Sequence, residues 1–245
     1  DATLETAAAS GDEDTAIALD IDVSNVADGD SASVTISGIP EGATLSAGTV
    51  NEDGSVTLTT EQLEGLTITP ASDSDADFTL TVAVTTTDAD SGDTATVTET
   101  LDVTVDAVAD TPSLSVEVAS GAEDSAIALD ITSALTDTDG SETLDVTITG
   151  IPEGATLSAG TVNEDGSVTL TADQLDGLTI TPAANSADDF TLTVTATSTD
   201  GTDTATQTAS LPVTVTGVAN DATLETAAAS GDEDTAIALD IDVSN

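Results

Sequence analysis

The segment Gly38–Thr59, GIPEGATLSAGTVNEDGSVTLT, recurs unchanged at Gly150–Thr171. Glu13-Asp14 returns as Glu123-Asp124 and again as Glu233-Asp234, and Asp1–Asn25 is identical to Asp221–Asn245. Long-period identity of this kind means one structural unit used repeatedly, so the fold has to close within about 110 residues. The second copy gains two residues around Asp137–Glu142 and loses two around Asp200–Asp203, both in polar stretches. These offsets predict repeats at residues 1–108 and 109–219, with residues 220–245 forming the first strands of a third, truncated repeat. Such a piece cannot bury a core alone, so a longer tandem array is expected, continuing close to VADGDSASVTISGIP.

Within each copy the apolar residues alternate. Ile17, Leu19, Ile21 and Val23 are separated by Ala18, Asp20 and Asp22; Phe78, Leu80, Val82 and Val84 by Thr79, Thr81 and Ala83; Leu101, Val103 and Val105 by Asp102 and Thr104. Period-two runs rich in β-branched residues are half-buried strands. The spacing predicts strands near Thr3–Ala8, Thr15–Val23, Ala32–Ile39, Leu66–Thr69, Phe78–Thr87 and Thr94–Val105, with a hairpin at Glu52-Asp53-Gly54-Ser55. A helical stripe extends for no more than about one turn near Glu61–Gly65. The expected fold is all-β: tandem Ig-like or cadherin-like β-sandwich domains stacked end to end. Pro212, inside the last strand of the second copy, requires an edge or a bulge there.

Composition then narrows the chemistry. The chain holds 48 acidic residues and no Lys, Arg or His, a formal charge of -48. Nucleic acid and anionic membranes are recognised largely through Lys and Arg, so neither is an expected partner. Without His, Cys or Lys, the usual nucleophiles and proton shuttles are missing. No apolar run approaches the length of a membrane span. What remains is oxygen chemistry from carboxylates, hydroxyls and backbone carbonyls.

Sandwich topology places the acids. In an end-to-end array, the A–B and E–F loops lie at the pole where the chain leaves a domain, and the B–C and F–G loops at the opposite pole. At the first junction this gathers Glu13, Asp14 and Asp77 from the first repeat, Asp106 and Asp110 from the linker, and Asp137, Asp139, Asp200 and Asp203 from the second. The second junction has Glu123, Asp124, Asp189, Asn220 and Asp221; the upstream pole of the first repeat has Asp28, Asp30, Asp88 and Asp93. Two carboxylates 4 Å apart repel by about 4 kcal/mol at an effective dielectric near 20. Such clusters need a cation between them. Ca²⁺, taking six to eight oxygen ligands in flexible geometry, fits better than Mg²⁺ with its strict octahedron.

Plainer readings of the same residues exist. Asp and Asn are ordinary turn residues, and an acidic surface favours solubility; neither accounts for acids concentrated at loops and linker. Paired carboxylates of a glycosidase would need an aromatic platform for sugar rings, and the only aromatics are Phe78 and Phe190. Thr-rich outer faces are ordinary exposed strand. Binding hot spots favour Trp, Tyr and Arg, all absent here. A non-enzymatic spacer therefore fits better than its alternative, a module recognising a cell surface or polysaccharide through a loop pole.

The run GIPEGATLSAGTVNEDGSVTL, followed by QLEGLTITP at Gln62–Pro70 or QLDGLTITP at Gln174–Pro182, together with GDEDTAIALDI at Gly11–Ile21, resembles the extender repeats of giant bacterial RTX adhesins. The resemblance covers both full repeats. It implies Ig-like domains that bind Ca²⁺ at and near their linkers, in a secreted, calcium-dependent adhesion and biofilm protein of the bacterial surface. It favours Glu13, Asp14, Asp137 and Asp139 as ligands. Partners would be the neighbouring repeats, with ligand contacts made by other domains of the parent protein. The paired-glycine RTX nonapeptide is absent, so a C-terminal secretion region is not expected in this stretch. The second linker departs from the first, with Thr216 for Asp106 and Asn220 for Asp110, which leaves the number of sites at that junction open.

Overall fold

The computed structural model describes residues 2–244, which divide into two compact units. The first runs to Ser115 and includes Thr132–Thr147 and Thr195–Thr208; the second comprises Val116–Ile131, Ile148–Val194 and the chain from Ala209 onward.

In the first unit the strands are β1 (Thr3–Ala7), β2 (Ala9–Asp12), β3 (Ile17–Ala18), β4 (Asp20–Ser24), β5 (Ser31–Ser37), β6 (Thr44–Leu45), β7 (Thr49–Val50), β8 (Val56–Leu58), β9 (Thr67–Thr69), β10 (Phe78–Thr87) and β11 (Thr94–Asp106). One sheet has the order β2-β11-β10-β5-β8-β7. Facing it, β1 pairs with β4, and β3, β9 and β6 form a second ribbon. The three strands β5, β10 and β11 supply the C-F-G half of an immunoglobulin-type sandwich, and β1, β3/β4, β9 and β6 supply the A-B-E-D half.

The alternation explains the layers. Leu80, Val82 and Val84 of β10 are buried, as are Val34 and Ile36 of β5 and Leu101, Val103 and Val105 of β11. They meet Ile17, Leu19, Ile21 and Ile68 from the other layer. Burying each such side chain contributes about 1.5–3 kcal/mol. Phe78 lies at the margin of this cluster, only partly buried, so the core is built from Val, Ile and Leu. The short helical turn appears as a 3-10 segment, Thr60–Leu63, where Gln62 Oε1 accepts from the Thr59 N–H at 2.9 Å.

One feature has no local sequence signal. The expected first strand appears as β1, but an additional strand, β2, follows it and crosses to pair in parallel with the end of β11, Asp12 opposite Asp106. That crossing decides where Glu13 sits. The second unit repeats it: Ala119–Ala122 pairs in parallel with Val213–Thr216, from Ala119↔Val213 onward. Pro212 precedes the first of these pairs, so its missing N–H interrupts no parallel partner.

Candidate metal centre

The parallel pairing carries the chain from Asp12 directly onto the linker. The Glu13 N–H donates to the Asp106 carbonyl at 3.0 Å, and Glu13 Oε1 accepts from the Val108 N–H at 2.8 Å. Beyond Phe78↔Val103 the β10–β11 ladder has ended, and Asp77 Oδ1 takes the Val105 N–H at 2.9 Å. Asp14 Oδ1 accepts from the Asp73 N–H at 3.0 Å. Asp14 and Asp73 both adopt left-handed backbone, φ 54° and 56°, a conformation that Asp tolerates better than most residues. Loop and linker are thus tied together through carboxylate oxygens.

The other half of the centre comes from the segments Thr132–Thr147 and Thr195–Thr208, strand ends with the turns between them, which belong to the same compact unit. Asp203 Oδ2 accepts from the Ala109 N–H at 3.1 Å, and Glu142 Oε1 from the Asp110 N–H at 2.5 Å. Ser198 Oγ donates to the Asp110 carbonyl. Asp137 Oδ1 accepts from the Asp139 N–H, and Asp139 Oδ1 from the Ser141 N–H, both at 2.7 Å, which shapes that loop.

Four of these acids are buried: Glu13, Asp137, Glu142 and Asp200 are 3%, 3%, 7% and 1% exposed. Among the described residues, Glu13 Oε2, Glu142 Oε2 and Asp200 Oδ2 are buried oxygens with no hydrogen-bond partner. Burying an ionised carboxylate without a counter-charge is strongly unfavourable, and this chain has no cationic side chain to offer. Beside this group, carboxylate oxygens of Asp14, Asp73 and Asp110 lie within 4.8 Å of one another.

The electrostatics follow. Burial first, then the charges of Asp200 and Asp14, push the Glu13 carboxyl up to about 7, against a lowering contribution from Val108 N–H. Burial raises Asp200 as well, aided by Asp75, Asp137 and Asp139 and opposed by the neighbouring Glu13 carboxyl. Glu142 is raised by burial and by Asp137, Asp110 and Asp200; Asp110 by burial and by Asp73, Asp14 and Asp137. A carboxyl with a raised folded-state value favours the folded state while protonated. That contribution is complete below the ordinary value of 4.5 and is lost as pH climbs through about 7. In chelator, therefore, the melting temperature of the first unit is expected to fall as pH rises across that window. A calorimetric pH series checks this; a melting temperature that rises through it would refute the assignment.

Among the expected residues, Glu13, Asp14, Asp110, Asp137, Asp139, Asp200 and Asp203 come together here. Asp77 ties down the end of β11 instead, and Asp106 contributes its carbonyl while its side chain is exposed. Asp28, Asp30, Asp88 and Asp93 lie apart from this centre. There Asp88 Oδ1 caps the N–H groups of Asp90 and Ser91, and Asp30 Oδ1 takes the Ala89 N–H at 3.4 Å, while Asp28 is exposed. In the second unit, Glu123 Oε1 accepts from the Val218 N–H, Asp124 Oδ1 from Asn185 N–H and Asp189 Oδ1 from Val215 N–H; Asn220 and Asp221 are exposed. Three members of the first centre were not expected: Asp73, Asp75 and Glu142. The acid-alternating run Asp73-Ser74-Asp75-Ala76-Asp77 was the available signal for two of them.

No family model matches the chain, and no curated protein matches it. Solved structures do. Murine CEACAM1b is 13% identical with a TM-score of 0.31, the match covering 87% of this chain and 100% of that one. Drosophila N-cadherin EC1-4 is 14% identical with a TM-score of 0.29, covering 100% and 61%. A SusE-like surface located polysaccharide binding protein from the Bacteroides thetaiotaomicron heparin utilisation locus is 13% identical with a TM-score of 0.26, covering 92% and 36%. These likenesses are weak, and the sandwich architecture rests on the chain's own strand pairings. No helix among the described residues is long and apolar enough to cross a membrane.

Proposed function

We propose that the chain is a non-enzymatic extender segment of a secreted bacterial surface adhesin, made rigid by Ca²⁺ at the pole that joins Glu13, the linker and the loops around Asp137 and Asp200. The observation that carries this reading is the set of buried, unpartnered oxygens of Glu13, Glu142 and Asp200 in a chain without a single cationic residue. The donors available are all oxygens, which suits a hard cation, and their number and mixed Asp/Glu reach suit Ca²⁺ over Mg²⁺. When bound, calcium supplies the positive charge that the chain lacks and coordination positions for several carboxylates at once.

The residues divide the work. Asp77, Glu13 and Asp203 hold the backbone of Val105, Val108 and Ala109, fixing the linker from both sides. Asp14, Asp73 and Asp110 form a group of three carboxylates, the first exposed and the other two half-buried, and Glu13, Asp137, Glu142 and Asp200 a buried group beside it. With both groups neutralised, the linker is held fast between loops of successive repeats and a tandem array gains stiffness. A spacer of this kind needs neither a catalytic group nor an aromatic binding platform, in keeping with the composition.

X-ray scattering from the intact chain, in calcium and then in chelator, tests the proposal. The expected result is a larger, sharply defined maximum dimension in calcium and a broader, more compact distribution in chelator. Identical curves, with no calcium retained after dialysis, would sink it.

A further inference from the structure

The second unit reproduces one half of the first centre's backbone scaffold, the part made by Glu13, Asp14 and Asp77, but not its charges. Glu123 Oε1 accepts from the Val218 N–H at 2.7 Å, as Glu13 does from Val108 at 2.8 Å. Asp124 Oδ1 accepts from the Asn185 N–H at 2.8 Å, as Asp14 does from Asp73 at 3.0 Å. Asp189 Oδ1 accepts from the Val215 N–H at 2.8 Å, as Asp77 does from Val105 at 2.9 Å. Asp124 and Asn185 have the same left-handed backbone as their counterparts, φ 55° and 56°.

Against that preserved frame, the group of Asp14, Asp73 and Asp110 becomes Asp124, Asn185 and Asn220. The two amides face each other: Asn220 Nδ2 donates to Asn185 Oδ1 at 2.7 Å. A carboxylate pair at these positions can only accept, so its members repel until a cation or proton intervenes. An amide pair carries donor and acceptor together and joins loop to linker unaided. A nearby loss points the same way, Ala187 standing where the first copy has Asp75.

We propose that Asn185 and Asn220 set the cation response of the second repeat: bonded to each other, they latch its E–F loop to the following linker without a divalent ion, so the two repeats answer differently to calcium. This rests on the calcium reading of the first unit and adds to it a residue-level determinant of where calcium is required.

Hydrogen exchange of the intact chain, read by mass spectrometry in calcium and in chelator, tests it, because the linkers VDAVADTP and VTGVANDA yield distinct peptides. In the wild-type protein, calcium is expected to slow exchange across residues 105–112 by about tenfold or more and to leave residues 215–221 unchanged. In the double variant Asn185→Asp, Asn220→Asp, residues 215–221 are expected to exchange faster in chelator than in wild type and to slow when calcium is added. Equal slowing of both linkers in the wild type would overturn the inference while leaving the calcium reading intact. A double variant whose second linker ignores calcium would overturn the assignment to these two amides. No calcium effect on either linker would overturn both.

Discussion

Transferring the calcium-loaded protein into chelator is expected to lower the melting temperature of the first unit by roughly 5–10 °C. A ligand present at about a hundredfold its dissociation constant stabilises by about 2.7 kcal/mol, and one kcal/mol moves the midpoint of a domain of about 150 residues by about 2–4 °C. The expectation is this large because the carboxylates concerned lie inside the fold. Surface acids relax into water when an ion leaves, whereas Glu13, Asp137, Glu142 and Asp200 are nearly inaccessible and have acids, not cations, as their charged neighbours. Removing the cation therefore leaves repulsion at low effective dielectric with no cationic side chain to relieve it. Differential scanning calorimetry in calcium, in magnesium and in chelator measures the effect. Magnesium should restore only a part, given its reluctance to shed water and its stricter octahedron. Superimposable traces in all three would mean that the buried acids are accommodated by protonation alone.

The strands were legible because alternation is a local property: the runs from Phe78 and from Leu101 became single strands, and the run from Ile17 became β3 and β4, interrupted at Leu19. The gathering of Asp110 with Asp137 and Asp200 was legible for another reason. Which pole a loop occupies follows from counting strands, whatever the middle hairpin does. The crossing of β2 onto β11 was not legible, since parallel pairing between residues about ninety positions apart leaves no short-range pattern. It is this crossing that turns Glu13 from a turn residue into a buried one. Glu142 was missed because a Glu just before a strand reads as a solvated side chain, and only its tertiary burial reveals otherwise. Asp73 was missed because the strand boundary drew attention to Asp77, four residues on. Comparing the copies would have marked it, since Asp73 and Asp110 change together, to Asn185 and Asn220.

Replacing Asp200 by Asn is expected to change stability in opposite directions depending on calcium. Asp200 is 1% exposed, and its Oδ2 has no hydrogen-bond partner. In chelator, Asp200→Asn removes one charge from a like-charged group and places an amide donor beside the Glu13 carboxyl, which now gains a partner instead of a competitor. Satisfying a buried polar group in this way is worth about 1–3 kcal/mol, so the variant should melt above the wild type. In calcium the order reverses, because the variant has lost a carboxylate from the buried group and binds the ion less tightly. The Glu13 carboxyl, relieved of the Asp200 charge that helps to raise it, should also titrate lower, making the chelator pH profile shallower. A residue with a purely packing role would shift both melting curves the same way. Crossing of the wild-type and Asp200→Asn curves between chelator and calcium is thus the signature that separates a carboxylate kept for a cation from one kept for the fold.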